Sequence, residues 1–452
     1  MTPREESSQV RRPAEAAPAV PAAAGRTEWG PIKRFGFRFF FCYVLLYGFP
    51  FPLGFDLTQA ASDWYRNWRG PMVAWVGANV FGIDYPIAYG RSGSGDRTFD
   101  YLAVFCLLVL ASAAAAIWSL FDRRGRRDQQ LLEGLRVYIR LYVGTMMLAY
   151  GFAKIIPRGQ FVPPDAVQLA QTYGDSSPMN LLWTFMGYSI PYTMIAGFLE
   201  AISGALLFFR RTTYIGALVL LGVMGNIVLL NFCYDVPVKL FSSHLWLLCL
   251  FLAAPSAAPL ASLLVLRRSI PLPPPPPRCF SHRSRRARIA ATSLYALLVG
   301  FLAVQASYDD WKRYIDSVTL SAEAAAVRGD FSVEEMAVDG RVLTPMPGDA
   351  SRWSRVHIRR RGIYVFRMND RYEIYRSMGD IEGPMTLDLR LWSDQEGPRR
   401  GLLALRREGA GYVLEGAFEG RQVRARLARM KAGDSLLMSR GFHWINEEPL
   451  NR

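Results

Sequence analysis

Long apolar runs separated by short basic loops make up the first part of the chain. A helix that crosses a bilayer needs about 20 mostly apolar residues. Seven runs have this length and composition: 36–56, 101–121, 137–157, 189–209, 213–232, 238–266 and 287–306. The pattern therefore predicts a polytopic α-helical membrane bundle of about seven spans.

Short segments with period-two alternation begin after Asp309 and continue toward the C-terminus. Examples are GIYVFRM, RYEIYRS and MTLDLRLW, and turn clusters such as EGAG and KAGD separate them. Alternation with regular turns is typical of an antiparallel meander, which closes into a barrel or packs as a sandwich. We therefore expect residues 307–452 to form an antiparallel β barrel or sandwich domain.

Composition divides the rest of the chain around the bundle at 36–266. Residues 1–35, rich in alanine and proline at the start, are expected to form a disordered cytoplasmic tail. The loop at 57–100 mixes tryptophan with arginine, which suits a helix lying in the lipid headgroup region. A basic, proline-rich cytoplasmic linker at 267–286 precedes the seventh span at 287–306.

The net charge of +15 would indicate a nucleic-acid partner in a soluble protein. Here the arginines cluster in the loops after the second, fourth and sixth predicted spans, and the opposite loops are nearly neutral. Loops rich in lysine and arginine are cytoplasmic. The distribution predicts a multi-pass protein of the bacterial inner membrane, with the lipid bilayer and no nucleic acid as partner. The N-terminus is then cytoplasmic and the C-terminal domain extracytoplasmic.

Redox-active thiols and metal cofactors are not expected. The five cysteines form no CxxC motif, and most lie in or beside predicted spans, where small apolar packing is their ordinary role. Zinc requires three or four His, Cys or carboxylate ligands at recognisable spacings, and haem requires an axial histidine. Only one histidine, His244, lies near a span.

Ionisable side chains interrupt the third and fourth predicted spans. Each such group costs about 2.5–3.5 kcal/mol at the centre of a membrane helix, so it persists where it pairs, reaches an interface or serves a polar site. Arg140 and Lys154 share one helical face with Gly144 and Gly151. Glu200 lies near the middle of the fourth span, and both an ion pair with Lys154 and a functional site are compatible with its position.

Further polar residues lie toward the outer half of the fifth and sixth spans, where helices could surround one outward-facing polar cavity. The candidate ligand-binding residues are Arg140, Lys154, Glu200, Asn226, Asn231, Asp235, Lys239 and His244. The candidate catalytic residues among them are Lys154, Glu200 and His244. An apolar cleft with one or two polar groups suits a quinone-like or lipid ligand, although Asp235 and Lys239 are also spaced to pair with each other.

Two span motifs resemble those of the DoxX-like membrane proteins. One is an Arg-Gly-Gly-Lys span, and the other is a Glu-Gly-Leu-Leu span that ends in a basic turn: Arg140, Gly144, Gly151, Lys154, Glu200, Gly204 and Arg210. The resemblance covers about residues 131–250 and implies a four-helix membrane core. The sequence departs from the family at Tyr150, where histidine is frequent, and in its additional spans and β domain.

The resemblance leaves two functions open, because some DoxX-like proteins belong to thiosulfate:quinone oxidoreductases and related eukaryotic proteins export secretory cargo. The first, which we predict, is a membrane-anchored binding or assembly protein whose outer domain at 307–452 binds an envelope protein. The second is a redox-associated membrane subunit of the thiosulfate:quinone oxidoreductase type that acts on a quinone. Lys154 would then bind the anionic oxygen, Glu200 would transfer a proton, and His244 or Asp235 would complete the relay.

Overall fold

A computed structural model describes residues 29–51, 59–90, 95–125, 127–156, 159–268, 285–319, 322–394, 397–430 and 436–440. Most of the predicted tail, at 1–28, and of the predicted linker, at 269–284, lies outside these ranges. The described residues form two regions, a helical bundle followed by a β barrel.

The helices of the described residues are named in chain order. They are α1 Pro31–Gly48, α2 Gln59–Val80, α3 Thr98–Phe121, α4 Asp128–Ile155, α5 Ala166–Ala170, α6 Pro178–Tyr188, α7 Ile190–Phe208, α8 Thr213–Cys233, α9 Lys239–Leu264, α10 Arg285–Val318, α11 Ala322–Val327 and α12 Leu436–Ser439. A single 3-10 turn, Tyr173–Asp175, lies between α5 and α6.

Among the described residues, four helices are long and apolar enough to cross a membrane, namely α3, α7, α8 and α9. Helices α1 and α4 also cover predicted spans, but they carry charged side chains such as Arg38, Arg140 and Lys154. In the described part of α10, a shorter apolar stretch runs over Ser293–Val304. The chain therefore has several helices suited to a membrane, and the number of seven spans stays a prediction.

Helix ends differ from the predicted span ends because apolarity marks where a membrane would begin, not where a helix begins. Helix α1 begins at Pro31, inside the predicted tail. Helix α10 continues from the predicted seventh span to Val318 through a charged segment. The first strand of the C-terminal domain accordingly begins at Gly329, later than the predicted boundary at 307.

Glycines bring α4 and α7 into backbone contact along an antiparallel crossing. A Cβ atom added at Gly151 would lie 2.8 Å from the Gly197 carbonyl oxygen. One added at Gly204 would lie 3.0 Å from the Gly144 carbonyl oxygen. Small residues permit such close approach of helices in membranes. Gly144 and Gly151 of α4 and Gly204 of α7 therefore serve this crossing.

Helix α2 carries its tryptophans on an exposed side. Trp64, Trp68 and Trp75 are 62%, 59% and 61% exposed, whereas Val73 on the opposite side is buried against α3. The Tyr65 hydroxyl donates to the Leu46 carbonyl at 3.0 Å, which attaches α2 to α1. An exposed tryptophan side suits the predicted headgroup location, which stays a prediction.

The C-terminal domain is a closed, eight-stranded antiparallel β barrel with one additional short strand, β2. The nine strands are β1 Gly329–Val338, β2 Arg341–Val342, β3 Trp353–Arg359, β4 Gly362–Arg367, β5 Tyr372–Ser377, β6 Thr386–Leu391, β7 Arg399–Glu408, β8 Gly411–Phe418 and β9 Arg421–Arg429. Neighbours pair in the order β1-β3-β4-β5-β6-β7-β8-β9, and β9 pairs back with β1. The short β2 adds only to β1. Of the two predicted architectures, the barrel is the one that forms.

The barrel core follows the alternation in the sequence. In β9, Val423, Ala425 and Leu427 are buried, while Arg424 and Arg426 between them are exposed. Period-two side chains must alternate between the two faces of a strand. One cluster of buried side chains from β1 and β3–β9 thus fills the interior.

Candidate functional site

Lys154 and Glu200 form a buried ion pair between α4 and α7. Lys154 Nζ donates to Glu200 Oε2 at 2.8 Å, and the two side chains are 8% and 2% exposed. The close contact of Gly151 with Gly197 brings these side chains to the same level of the crossing. A buried pair with good geometry compensates part of the cost of removing both charges from water. The ion pair, one of the two interpretations of Glu200, is the geometry observed.

Arg140 lies near the middle of α4, about 21 Å from Lys154 at 1.5 Å per residue along the helix axis. Its Nε donates to the Leu207 carbonyl at 2.7 Å, and a terminal nitrogen donates to the Phe208 carbonyl at 3.0 Å. The Tyr295 hydroxyl on α10 also donates to the Phe208 carbonyl, at 2.7 Å. Cations and donors stabilise the free carbonyls at a helix C-terminus. Arg140 therefore caps α7 and lies far from the ion pair.

His244 contacts α1 rather than α4. Its Nδ1 lies 2.6 Å from the Leu240 carbonyl oxygen, and its Nε2 lies 2.6 Å from the Tyr43 hydroxyl. Because a carbonyl can only accept, Nδ1 donates, and the Tyr43 hydroxyl donates to Nε2 of a neutral imidazole. The Tyr47 ring stacks on the imidazole with centroids 4.1 Å apart. His244 is thus held by a hydrogen-bonded aromatic cluster.

The polar residues at the α8–α9 turn pair locally. Asn231 Nδ2 donates to Ser242 Oγ at 2.9 Å, and Lys239 Nζ lies 2.7 Å from Asp235 Oδ1. The Asp96 carboxylate accepts from the first two backbone N–H groups of α9, at 2.6 and 2.9 Å. A carboxylate satisfies free N–H groups and complements the dipole at a helix N-terminus. These residues fix the turn, as the Asp235–Lys239 spacing predicts.

The candidates are thus distributed over several contacts, and Asn226 lies exposed on α8. Tyrosines border two of these contacts. Lys154 Nζ lies 5.7 Å from the centroid of the Tyr150 ring, and the Tyr47 ring stacks on His244. Sequence reasoning missed these tyrosines because aromatic residues in an apolar span have no spacing that distinguishes them from packing residues.

Potential metal ligands do not cluster in the described ranges. These ranges contain no group of three or more His, Cys, Asp or Glu side chains arranged to hold a metal ion. Cys42, Cys106, Cys233 and Cys249 are free thiols, and Cys279 lies outside the described residues.

Comparison with known proteins places part of the chain in a family. No family model and no solved structure matches it. It is 33% identical over 135 residues to the uncharacterized protein YwoB of Bacillus subtilis (strain 168), a match that covers 29% of this chain and 84% of YwoB. The chain belongs to the YwoB family.

The match to YwoB covers only part of the chain, so the relationship can explain only that part. The 135 matched residues are 29% of the chain, so much of it has no counterpart in YwoB. Because YwoB is itself uncharacterized, membership of its family assigns no reaction or ligand. The DoxX-like resemblance therefore stays a prediction.

A polar junction attaches the barrel of this YwoB-family protein to the segment between α4 and α6. Arg359 donates to Asp165 at 3.0 Å and to Asp330 at 2.9 Å, and His357 Nδ1 lies 2.8 Å from Asp330. Burial alone would raise the pKa of Asp330, but hydrogen bonds and charge from His357 and Arg359 hold that pKa below its ordinary value. Asp165 also caps α5. This junction orients the barrel on the bundle.

A further buried cation, Arg38, was missed by sequence reasoning. Its fully buried guanidinium lies 3.1 Å from Asp122 and 3.2 Å from Asp128, and stacks 4.9 Å from the Trp118 ring. The hydrogen bond from the Gly125 backbone N–H lowers the pKa of Asp122, and the positive charge of Arg38 makes a smaller contribution in the same direction. Asp122 and Asp128, which flank the arginine-rich loop, were the signal for this contact in the sequence. We interpreted the arginines of that loop only as an indication of membrane orientation.

Proposed function

We propose that this protein is a DoxX-like, membrane-anchored binding or assembly protein of the bacterial inner membrane. The helical bundle anchors the β barrel, and the barrel binds an envelope protein. The observation that carries the proposal is that the charges predicted for chemistry are matched inside the protein. Lys154 neutralises Glu200, and Arg140 caps α7. Matched charges suit a scaffold that stays folded in lipid.

The proposed orientation has a cytoplasmic N-terminus and an extracytoplasmic barrel. Arg38, Asp122 and Asp128 gather where α1 begins, α3 ends and α4 begins, beside the arginine-rich loop. That end of the bundle is cytoplasmic if the positive-inside rule applies. The barrel follows the far end of α10 and contacts the segment between α4 and α6 through Asp165. These contacts support a barrel on the opposite, outer side.

The proposed partner surface is on strands β5–β7. A closed barrel has no free strand edge, so a partner must bind its side chains instead of adding a strand. Met378 and Leu402 are 61% and 41% exposed. Asp388 lies between them, because the Met378 N–H donates to the Asp388 carbonyl and Asp388 is opposite Leu402 in the β6–β7 ladder. Exposed methionine and leucine on either side of a polar residue suit the mixed surface of a protein interface.

In-cell photocrosslinking tests this surface. A photoreactive residue at Met378 in the full chain should give one discrete, saturable crosslinked species. Leu402→Glu should abolish that species, because a charge is introduced at the centre of the contact. The matched control is Val342→Glu, which changes a 64% exposed side chain on β2 and should leave the crosslink unchanged. A crosslink that survives Leu402→Glu, or none at all at normal protein levels, would contradict the proposed surface.

The ion pair provides a separate test of the scaffold role. Exchanging Lys154 and Glu200 keeps one positive and one negative charge at the same level of the α4–α7 crossing. If the pair is structural, the exchanged protein should keep both its fold and its crosslinked partner. If the pair holds a ligand, the exchanged protein should fold and lose activity. The second result would favour an enzyme.

A second candidate function, quinone-dependent redox activity, is favoured by the His244 cluster. Tyr43, Tyr47 and His244 form a stacked aromatic cluster with a hydrogen bond inside it, and aromatic side chains with a few polar groups are typical of small-molecule sites. It predicts that a quinone co-purifies and is lost in Tyr43→Phe. It also predicts that Lys154→Ala and Glu200→Gln each abolish substrate-dependent quinone reduction. Full activity in both variants would remove this candidate.

A further inference from the structure

Three consecutive arginines lie at the hairpin between β3 and β4. Arg359 ends β3, and Arg360 and Arg361 form the turn. The hairpin borders an open groove of about 360 Å³ on the outside of the barrel. Tyr364, Ile374 and Trp392 also line the groove, with Gly362 at its edge. The groove therefore combines a basic rim with an aromatic and apolar floor.

The three arginines of this rim differ in how many carboxylates they contact. Arg359 forms ion pairs with two, those of Asp165 and Asp330. Arg360 and Arg361 share one carboxylate, since the Nε atoms of the two arginines bond to the two oxygens of Asp380 at 2.8 and 3.0 Å. Among the described residues, no other acidic side chain lies within ion-pair distance of either arginine. The Arg360–Arg361 pair thus carries one excess positive charge, which is balanced only by the second aspartate on the neighbouring Arg359.

The geometry of the pair suits a phosphate group. Asp380 occupies only the Nε groups, so the terminal nitrogens of Arg360 and Arg361 remain for a second anion, and each side chain is 63% exposed. Arginine forks bind phosphate oxygens through two parallel hydrogen bonds. Two adjacent forks can therefore bind one phosphate without displacing Asp380.

The floor and the position of the groove indicate that the phosphate belongs to a lipid. Trp392 is 48% exposed beside Tyr364 and Ile374, and tryptophan and tyrosine are enriched at the headgroup level of membranes. Arg359, at the same rim, bonds to Asp165 in the segment that follows α4. The groove consequently lies on the side of the barrel that faces the helical bundle.

We propose that this groove binds the headgroup phosphate of an anionic phospholipid. Arg360 and Arg361 bind the phosphate oxygens, and Trp392 packs against the glycerol and the first acyl carbons. The lipid would hold the barrel at the membrane surface in addition to the Arg359–Asp165 contact. This site adjoins the partner surface at Met378 and Leu402, since the Ser377 N–H donates to the Arg361 carbonyl, but it uses different side chains and does not depend on that proposal.

Lipid titration of the full-length protein in mild detergent, followed by native mass spectrometry, tests the site. Phosphatidylglycerol should bind more tightly than phosphatidylcholine with the same acyl chains. Arg360→Gln with Arg361→Gln should weaken phosphatidylglycerol binding about tenfold, since two charge-assisted contacts are lost. Asp380→Asn should strengthen it, because both forks are released. Arg406→Gln, which changes a 70% exposed arginine paired with Glu415 on the barrel, is the matched control.

Competition with inorganic phosphate separates the two sources of the ligand. Phosphatidylglycerol that resists millimolar phosphate, but is lost in Trp392→Ala, supports a lipid site. Displacement by phosphate at equal affinity would overturn the lipid assignment. So would equal affinity for phosphatidylcholine, an unchanged affinity in the double glutamine variant, or an equal loss in Arg406→Gln. Hydrogen exchange of the barrel strands verifies that each variant is folded.

Discussion

The helical bundle and the barrel expose opposite kinds of side chain. In the bundle, Leu120 on the apolar helix α3 is 68% exposed, whereas Arg140 and Glu200 are 3% and 2% exposed. In the barrel, Ala425 and Leu427 are buried, and Arg424 and Arg426 alternate with them on the outer face. Both regions have an apolar core, but the bundle also buries charges and exposes leucines, whereas the barrel exposes arginines.

This difference follows from the surroundings that each region requires. Water drives apolar side chains into the barrel core. Lipid exerts no such force between helices, so association depends on close backbone packing and on matched polar groups. The glycine contacts between α4 and α7 and the Lys154–Glu200 pair meet both requirements. Substitutions that reverse the polarity of a site should therefore act differently in the two regions.

The largest effect should come from breaking the buried ion pair. Lys154→Met leaves the Glu200 carboxylate buried without its partner, and such changes typically cost about 3–5 kcal/mol. Lys154→Met combined with Glu200→Leu should recover most of that loss, because an apolar pair of similar volume is often neutral. Denaturant unfolding of the detergent-solubilised protein measures both.

The Lys239–Asp235 pair is the control for this prediction. Asp235 is 82% exposed, and an exposed i,i+4 pair contributes about 0.5 kcal/mol or less. Lys239→Met should accordingly leave unfolding almost unchanged. Equal effects of Lys154→Met and Lys239→Met would show that burial does not distinguish the two pairs.

The second-largest loss of stability should distinguish two adjacent leucines on β7. Leu403 is fully buried and Leu402 is 41% exposed. Leu403→Ala should destabilise the barrel by about 2–5 kcal/mol, the range for a cavity in a packed core. Leu402→Ala should stay within about 0.5 kcal/mol, as surface substitutions do. Hydrogen exchange of the barrel amides in the full chain measures the difference, and similar values for both would contradict the barrel register.

Much of this fold was predictable from periodicity. Apolar runs located the helices, and alternation located a barrel or sandwich, because both patterns depend on local spacing. The closure of β1 on β9 was not predictable, since it depends on contacts such as Phe331 with Arg429 between strands far apart in the chain. The extension of α10 to Val318 was missed because its last turns are charged.

The contacts of the candidate site residues were predictable only where a charged side chain has few possible partners. Glu200 needed a cation, and Lys154 was available on a neighbouring span. The role of Arg140 depends on where α7 ends, which hydropathy does not determine. His244 and Tyr43 are 201 residues apart, so no local spacing indicated that contact.

A smaller effect should follow from crowding the α4–α7 crossing. Gly151→Leu places a side chain where even a Cβ atom would lie 2.8 Å from the Gly197 carbonyl oxygen. Overpacking of this kind costs about 1–3 kcal/mol. Gly222→Leu on α8, where a Cβ atom would meet nothing within 4 Å, is the control and should be tolerated. Thermal stability in detergent checks both, and tolerance of Gly151→Leu would contradict the close crossing.

The smallest effect should be a change in the pH dependence of the barrel. Because the pKa of folded Asp330 is lowered, its contribution is complete above the pKa of an unfolded aspartate, about 4, and is lost as the pH falls through the folded value. Asp330→Asn should destabilise the barrel by about 1 kcal/mol at neutral pH and flatten its acid dependence. Asp370→Asn, at a 64% exposed aspartate, should leave the profile unchanged. Hydrogen exchange of β1 and β3 between pH 6 and pH 3, corrected for intrinsic rates, measures this, and parallel profiles for Asp330→Asn and the unmodified protein would show that the Arg359–His357 contacts do not stabilise the ionised carboxylate.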